Sequence, residues 1–513
     1  MKKTFLLILF FWATLSLSAQ IQLTESNTEI FDIVRKTLYS ERNYNFIGFD
    51  NNNFYFLFGN KTLFKLNAAV NEGESMELNT KVDGNVLFNF CSEDTMGLIC
   101  LKKSDDELTV TQLTLNKNEG VFSSALLATL SATESSKLQF HTGESNDKTK
   151  KVALVTLISA DKEYEQSYVL VFGARGELLW QTRIAPSFEK TNFTFNDVTV
   201  TNSGTDVYIV GKSYDFKQQT ASNTVLQLLT IDQSGIIDQI TEKCSFAEIR
   251  SLKFKVLNNN NIFIAGFYHD GNEDENNGGT FSALFNTSQN TFSLVAQTFK
   301  ESLARGTKMN TAFKSDFAKK IQGIYELADS SIVVLGEDRQ TLIMEKATDN
   351  ALYVPHLFLA GNIFVEFYAA DGTLNKFSVI YKSQSNSKVN FSATPQIAAE
   401  QTINEFRHQP LSFDVIQSDN KLLLLFNDNI KNPVHQNIPR RENLDVADLK
   451  NVGATVLYPI DGTALSRRKT LLINTKDTGR AFSEVVWTGK REALLLIQMV
   501  KGKSTFTFEK LTY

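Results

Sequence analysis

Short apolar runs recur along the whole chain, each bounded by polar turn residues. Eight of them, at 54–58, 98–101, 152–157, 207–210, 262–265, 332–335, 422–426 and 494–497, are rich in β-branched and aromatic residues. Continuous rather than alternating hydrophobicity predicts strands covered on both faces. Four of the runs are followed by Gly59, Gly211, Gly266 and Gly336, and the phrases Val-Tyr-Ile-Val-Gly, Ile-Phe-Ile-Ala-Gly and Ile-Val-Val-Leu-Gly are near copies. A second strand pair joined by a tight turn follows most of these runs. Its turns are read at Gly73, Gly120, Gly176, Gly235, Asn290, Gly372 and Gly462. Gly and Asn suit such turns because they tolerate positive φ.

Successive turns are 47, 56, 59, 55, 82 and 90 residues apart. A period near 50 with four strands per unit is the pattern of a propeller blade. A small sheet cannot bury both faces alone, but a ring of sheets can. The unit after residue 481 has three strands, and residues 29–35 are expected to supply its fourth and close the ring. The chain therefore resembles the β-propeller superfamily over nearly its whole length after residue 19. The resemblance implies an all-β fold with a single propeller of about eight four-stranded blades. Seven blades, or two packed β-sandwich domains, are the alternatives. Neither a Trp-Asp repeat nor an Asp-box is present. Trp180 and Trp487 are the only tryptophans after residue 19, unlike the one-per-blade pattern of quinone-dependent propellers. Fold by itself assigns no activity.

In a blade, the first-to-second and third-to-fourth turns lie on one face of the ring. The second-to-third loops and the blade crossings lie on the other. The long segments of this chain fall on that second face: loops 212–223, 269–279, 337–361 and 427–453, and crossings 300–323 and 383–410. Long loops in a compact fold commonly carry function. These come from neighbouring blades, the fourth to the seventh, so one raised lobe is expected. Both crossings read as partly helical. Phe313, Phe317 and Ile321 repeat every four residues between Asn310 and a stop at Gly323, and Ile397, Ile403 and Phe406 follow Pro395.

Candidate binding residues on this face are Tyr214, Phe216, Tyr268, His269, Asp270, Arg339, His356, His408, His435, Arg440 and Arg441. Exposed aromatics anchor interfaces, and an arginine doublet can grip a carboxylate or phosphate. The histidines form no HxH or HExxH pair, so no metal site is assigned. Asp270, Asn272 and Asp274 have calcium-loop spacing, but Glu275 and Phe281 stand where Gly and Glu are required. Arg467, Arg468 and Lys469 read as surface charge. No catalytic motif and no cofactor motif is found. Cys91 and Cys100 flank a predicted hairpin and form a candidate disulfide if its turn centres between Thr95 and Met96.

The first residues add a compartment. Lys2 and Lys3 precede an apolar stretch from Phe5 to Ala13, and Ser16, Leu17, Ser18 and Ala19 precede a cut that leaves Gln20 first. This is the pattern of a signal peptide, residues 1–19, with a retained N-terminal anchor as the alternative. The stretch is shorter than the roughly 20 residues a membrane helix needs, and none is expected after cleavage. The protein is thus expected in the periplasm or outside the cell. The formal charge is −5, or −7 without Lys2 and Lys3, which leaves no basic footprint for nucleic acid. The combined expectation is an exported protein, not an enzyme, that binds a protein or glycan partner of the envelope or exterior. The alternative is a hydrolase or lyase acting on glycan or peptide with carboxylates near the propeller axis.

Overall fold

The computed structural model describes residues 22–29, 44–78, 82–92, 95–117, 119, 121–132, 137–158, 164–184, 193–214, 224–269, 278–298, 318–343, 353–392, 411–418, 421–432, 443–445, 453–462, 464–473, 480–489, 491–499 and 505–513. Within them the chain is all-β. Eight antiparallel sheets follow one another, spanning 44–77, 85–131, 137–183, 193–243, 248–298, 318–380, 413–473 and 480–512. The eighth is completed by Gln22–Glu29, which pairs antiparallel with Thr505–Thr512. The closing strand therefore lies just upstream of the expected 29–35.

Each of the eight apolar runs is the second strand of its blade. Residues such as Phe56, Ile99, Leu154, Ile209, Ile264, Val334, Leu424 and Leu495 are inaccessible to solvent. Alternate residues of a strand point to opposite faces, and each face meets a different neighbouring blade. Ile262 and Ile264 pack against blade 4, and Phe263 and Ala265 against blade 6. One apolar cluster fills each of the eight interfaces between adjacent blades, including the one between blade 8 and blade 1. In that last cluster Phe56 stacks on Phe508 at 4.4 Å. The molecule is an eight-bladed β-propeller with a closed ring, and two separate sandwiches are ruled out.

Five of the predicted turn residues, Gly176, Gly235, Asn290, Gly372 and Gly462, do have positive φ. Gly73 instead opens an outermost strand, and Val70 takes the positive φ in the turn before it; Gly120 lies outside the described residues. Gly211, Gly266 and Gly336 lie inside second strands rather than ending them. At Gly266 a Cβ would stand 2.4 Å from both Ser251 O and the Phe281 ring, so the neighbouring strands approach only because it is absent.

Two expectations fail here. Ile321 and Gly323 belong to the strand Ala318–Glu326, so the helix expected to end at Gly323 does not include them. Phe313 and Phe317, and all of the second stripe, Ile397, Ile403 and Phe406, lie outside the described residues, as do residues 1–19. The second failure is the disulfide. The turn spans Ser92–Thr95, so Cys91 faces Met96 and Cys100 faces Val86. Both are free thiols.

Between blades 5 and 6, Glu366 is 1 % exposed and accepts a hydrogen bond from Tyr368 at 2.6 Å. Burial pushes its carboxyl from 4.5 up to about 8, so it is protonated at neutral pH. A raised acid pKa in the fold stabilises fully below the unfolded value, and that contribution is lost as pH climbs toward the folded value. Between about pH 5 and 8, wild-type stability should fall faster than that of Glu366→Gln by about 1.4 kcal/mol per pH unit. Urea unfolding at intervals across this range checks it; identical slopes would mean that the carboxyl is ionised in the fold.

Candidate functional site

The sixth blade departs from the others. Its second and third strands, Ile332–Ile343 and Tyr353–Tyr368, are 12 and 16 residues long and rise past the rest of the sheet. The third strand pairs first with Leu374–Ile380 through Ile363–Tyr368. Further up, its Tyr353–Ala360 part pairs with Gln384–Ser392 instead. Gln384 and Ser385 then run parallel to Leu444 and Asp445 from the seventh-blade insertion. The three segments 337–361, 383–410 and 427–453 thus contribute to one sheet extension on the loop-bearing face. Blades 6 and 7 of the expected lobe thus join through strands, whereas most of the insertions of blades 4 and 5 lie outside the described residues.

The exchange of partners is made at a bulge. Glu337 faces Ile363 and Arg339 faces Ala360, so Asp338 opposes two residues, Gly361 and Asn362. A Cβ on Gly361 would come within 2.9 Å of the Asp338 Cβ. Asn362 Nδ2 donates to Asp338 Oδ2 at 3.3 Å, and Lys319 Nζ lies 4.0 Å from Asp338 Oδ1.

Below the bulge is a buried charge network. Lys382 Nζ donates to Glu337 Oε1 and, at 2.9 Å, to Gln384 Oε1. Arg339 Nε donates to Glu337 Oε2 at 2.8 Å, and its Nη2 donates to Ser412 Oγ at 2.7 Å. Ser412 Oγ donates to Glu337 Oε2, and Ser412 N to Gln384 Oε1 at 2.8 Å. The Lys382 and Glu337 side chains have no solvent exposure. Burial alone would raise Glu337, but Lys382 and Arg339 hold it below the usual carboxylate range. Ser412 sits at φ 77°, a left-handed conformation that costs a non-glycine residue on the order of 1 kcal/mol. The network continues outward. Gln384 Nε2 donates to Asn427 O at 2.6 Å, and the Asn427 amide clasps Phe482 O and N of blade 8 at 2.6 and 2.9 Å. Beside it, Asp428 accepts from Arg468 Nη1 and from Asn432 Nδ2. Arg468 is only 7 % exposed, so it is a buried partner and not surface charge.

The axial wall forms a second polar zone. Six of the eight innermost strands carry a bulge. Side chains near the axis clasp the backbone or side chains of the adjoining blade. Asp197 accepts from Val198 N at 3.1 Å and from Phe254 N of blade 5 at 3.5 Å. Asp414 repeats the arrangement with Val415 N and Val485 N of blade 8, both at 2.8 Å. Ser251 Oγ accepts from Ile321 N, and Tyr44 OH donates to Glu484. Burial raises Asp197, and it raises Asp414 to about 6. Burial also lowers His141 on blade 3, although Asp197 opposes this.

Of the sequence candidates, only Arg339 joins the network. Tyr268 is a core residue, 7 % exposed and stacked on Phe246 at 4.4 Å. His269 ends the second strand of blade 5 between Glu248 and Gly278. Tyr214 ends the second strand of blade 4, and His356 stands opposite Ile343 in the raised extension. Phe216, Asp270, His408, His435, Arg440 and Arg441 lie outside the described residues. Glu337, Lys382, Gln384, Ser412 and Asp428 went unread. The signal for Glu337 and Asp428 was present: charged Glu-Asp-Arg and Asn-Asp-Asn directly prolong the buried runs Ile-Val-Val-Leu-Gly and Leu-Leu-Leu-Leu-Phe. Among the described residues, no three His, Cys, Asp or Glu converge as metal ligands.

No protein-family model and no curated protein matches this chain. Solved structures to which this chain is distantly similar include the following. Polysaccharide lyase Uly1 is 8 % identical with a TM-score of 0.38, over 85 % of this chain and 92 % of that one. The WD40 domain of SCAP from fission yeast is 9 % identical with a TM-score of 0.31, over 96 % and 98 %. The β-propeller domain of the Trilobed protease from Pyrococcus furiosus is 10 % identical with a TM-score of 0.30, over 82 % and 95 %. Likeness at this level carries no activity across.

Breaking the buried ion pair from one side should be worse than removing it whole. Lys382→Met alone leaves Glu337 partly uncompensated and is expected to cost about 3–5 kcal/mol. The double variant Glu337→Gln with Lys382→Met should recover at least half of that. Chemical denaturation of the three proteins provides the check, and equal losses in both variants would contradict the network.

Proposed function

We propose that this is an exported binding or scaffold protein that holds a protein or glycan partner of the cell envelope or exterior on its loop-bearing face. The carrying observation is the convergence of insertions from two adjacent blades into one sheet extension rooted in a buried charge network. Buried ion networks of this kind are poor sources of stability but good at specifying one geometry, and a pre-set surface lowers the ordering cost of binding. The signal-like pattern at 1–19 supports export. Non-enzymatic binding is preferred because the titrating axial carboxylates Asp197 and Asp414 each have both oxygens engaged by backbone N–H groups. A hydrolase or lyase is the second reading. It is favoured by one observation, that Asp414 titrates near 6 close to Glu484, in the range useful for acid–base work.

The test is a pull-down from solubilised envelope and culture supernatant. The baits are residues 20–513 and the same chain carrying Tyr214→Ala, His269→Ala, Arg440→Ala and Arg441→Ala. A partner retained by the first and lost by the second is expected. Equal recovery by both baits would place binding elsewhere. No recovery, together with glycan or peptide cleavage abolished by Asp414→Asn, would establish the second reading.

A further inference from the structure

The outer rim of blade 2 differs from the rest. Its outermost strand, Val121–Ser131, has 11 residues and is the longest of the eight outermost strands. It reads Val-Phe-Ser-Ser-Ala-Leu-Leu-Ala-Thr-Leu-Ser, without a charge, a proline or a glycine. Open strand edges are normally guarded by such residues, because their free N–H and C=O groups will pair with another chain. The other outermost strands do carry charge, as at Glu77, Asp238 and Glu25, except Thr291–Thr298 of blade 5, which is shorter. One edge of Val121–Ser131 pairs with Glu107–Asn116. Among the described residues no strand pairs with its other edge.

The ladder fixes where its side chains point. Phe122 and Ser124 stand opposite Leu115 and Leu113, and Phe122 packs with both leucines in the cluster between blades 1 and 2. Leu126, opposite Thr111, is two positions further along on the same side. It is 64 % exposed, the most of any large apolar residue described. On the facing blade Met76 stands opposite Leu63 of the same cluster and is 40 % exposed. The groove between blades 1 and 2 therefore opens onto the rim with uncovered apolar side chains turned toward it from both blades. After Leu126 the register shifts at Leu127, and Ala128 and Leu130 are buried in the cluster toward blade 3. A bulge bends its strand, so Val121–Leu126 is the straight, open segment.

We propose that Val121–Leu126 pairs antiparallel with the same segment of a second copy of this chain, giving a two-fold dimer of propellers joined edge to edge through blade 2. Self-complementarity selects the second copy. Centred on Ser124, the pairing sets Phe122 opposite Leu126 of the second copy and Ser123 opposite Ala125. Both pairs occur twice about the two-fold, small residues lie at its centre, and no charge meets another. The same operation on Gly73–Glu77 or Gln22–Glu29, whose charges are all negative, would bring like charges together. Pairing gives the outward N–H and C=O groups of the segment a ladder and takes Leu126 out of water. Blade 2 stands opposite blade 6 in a ring of eight, so the sheet extension of each copy stays clear of the joint.

Sedimentation equilibrium of residues 20–513, from low micromolar to submillimolar concentration, tests the joint. The mass of the native protein should rise toward twice that of the single chain. Ser124 is exposed, and Ser124→Lys sets two ammonium groups against each other at the two-fold, so this variant should stay a single chain. Ser124→Glu should do the same with two carboxylates. Mixed in equal amounts, the two variants should associate at least as tightly as native protein, because unlike charges then meet. Restoration by the mixture is peculiar to a strand lying against its own copy. Leu126→Ser should weaken association by about tenfold. Ser293→Lys, at an exposed position on the uncharged edge of blade 5, should leave it unchanged. Thermal melts at the lowest concentration should give native and variant proteins the same midpoint, so that loss of association is not loss of fold. The four-residue lobe variant should dimerise as native protein does, which separates the joint from the partner surface proposed above. Native protein that stays a single chain, association unmoved by Ser124→Lys, a mixture that stays single, or growth beyond two copies overturns the proposal.

Discussion

A four-stranded blade has two apolar faces and can cover neither by itself. Everything else in this molecule rests on the ring closing, because only then does each face meet another. The eight interface clusters are one continuous circuit of burial, and the seam joining Phe56 to Phe508 is its last link. At roughly 1.5–3 kcal/mol for each large apolar side chain fully buried, opening one seam would expose several such residues at once. The circuit is therefore cooperative.

Closure also creates a problem at the centre. Eight innermost strands turn their unpaired edges toward the axis, where backbone N–H groups lack a ladder partner. The bulges and clasps answer it. Asp197 and Asp414 accept N–H groups of the following blade, and Ser251 does so with its hydroxyl. Carboxylates at a propeller axis invite a catalytic interpretation, yet here two of them serve as joints.

Burial on both faces explains which parts of the fold were legible in the chain. The second strands are covered on either side, so their sequences are unbroken apolar runs and all eight were read. Outer strands such as Gly235–Lys243 alternate between partly buried and exposed positions, and the positive-φ turn before them marked their place. The four-residue spacing of Phe313, Phe317 and Ile321 suits a helix face but equally places Ile321 on one face of a strand, where it packs between blades 5 and 6. The cysteine pairing depended on a turn position that backbone pairing, not composition, decides. The charge network was the least legible part. Its members Lys382 and Ser412 lie 45 and 75 residues from Glu337 along the chain, so only the folded ring brings them together.

The closing strand has a peculiar composition. Gln22–Glu29 reads Gln-Leu-Thr-Glu-Ser-Asn-Thr-Glu, with Leu23 its single apolar residue. Its partner, Thr505–Thr512, is about 480 residues further along and is synthesised after the other seven blades. A strand that is made early and mated late must wait with its hydrogen-bonding groups open, the condition that favours pairing with the wrong chain. Polar residues make that wait safe, since a segment with so little apolar surface gains little from any partner except the one that completes eight blades at once. The price is paid in time: joining residues so far apart in sequence carries a large loop-closure entropy, so the final seam should be the slow step of assembly.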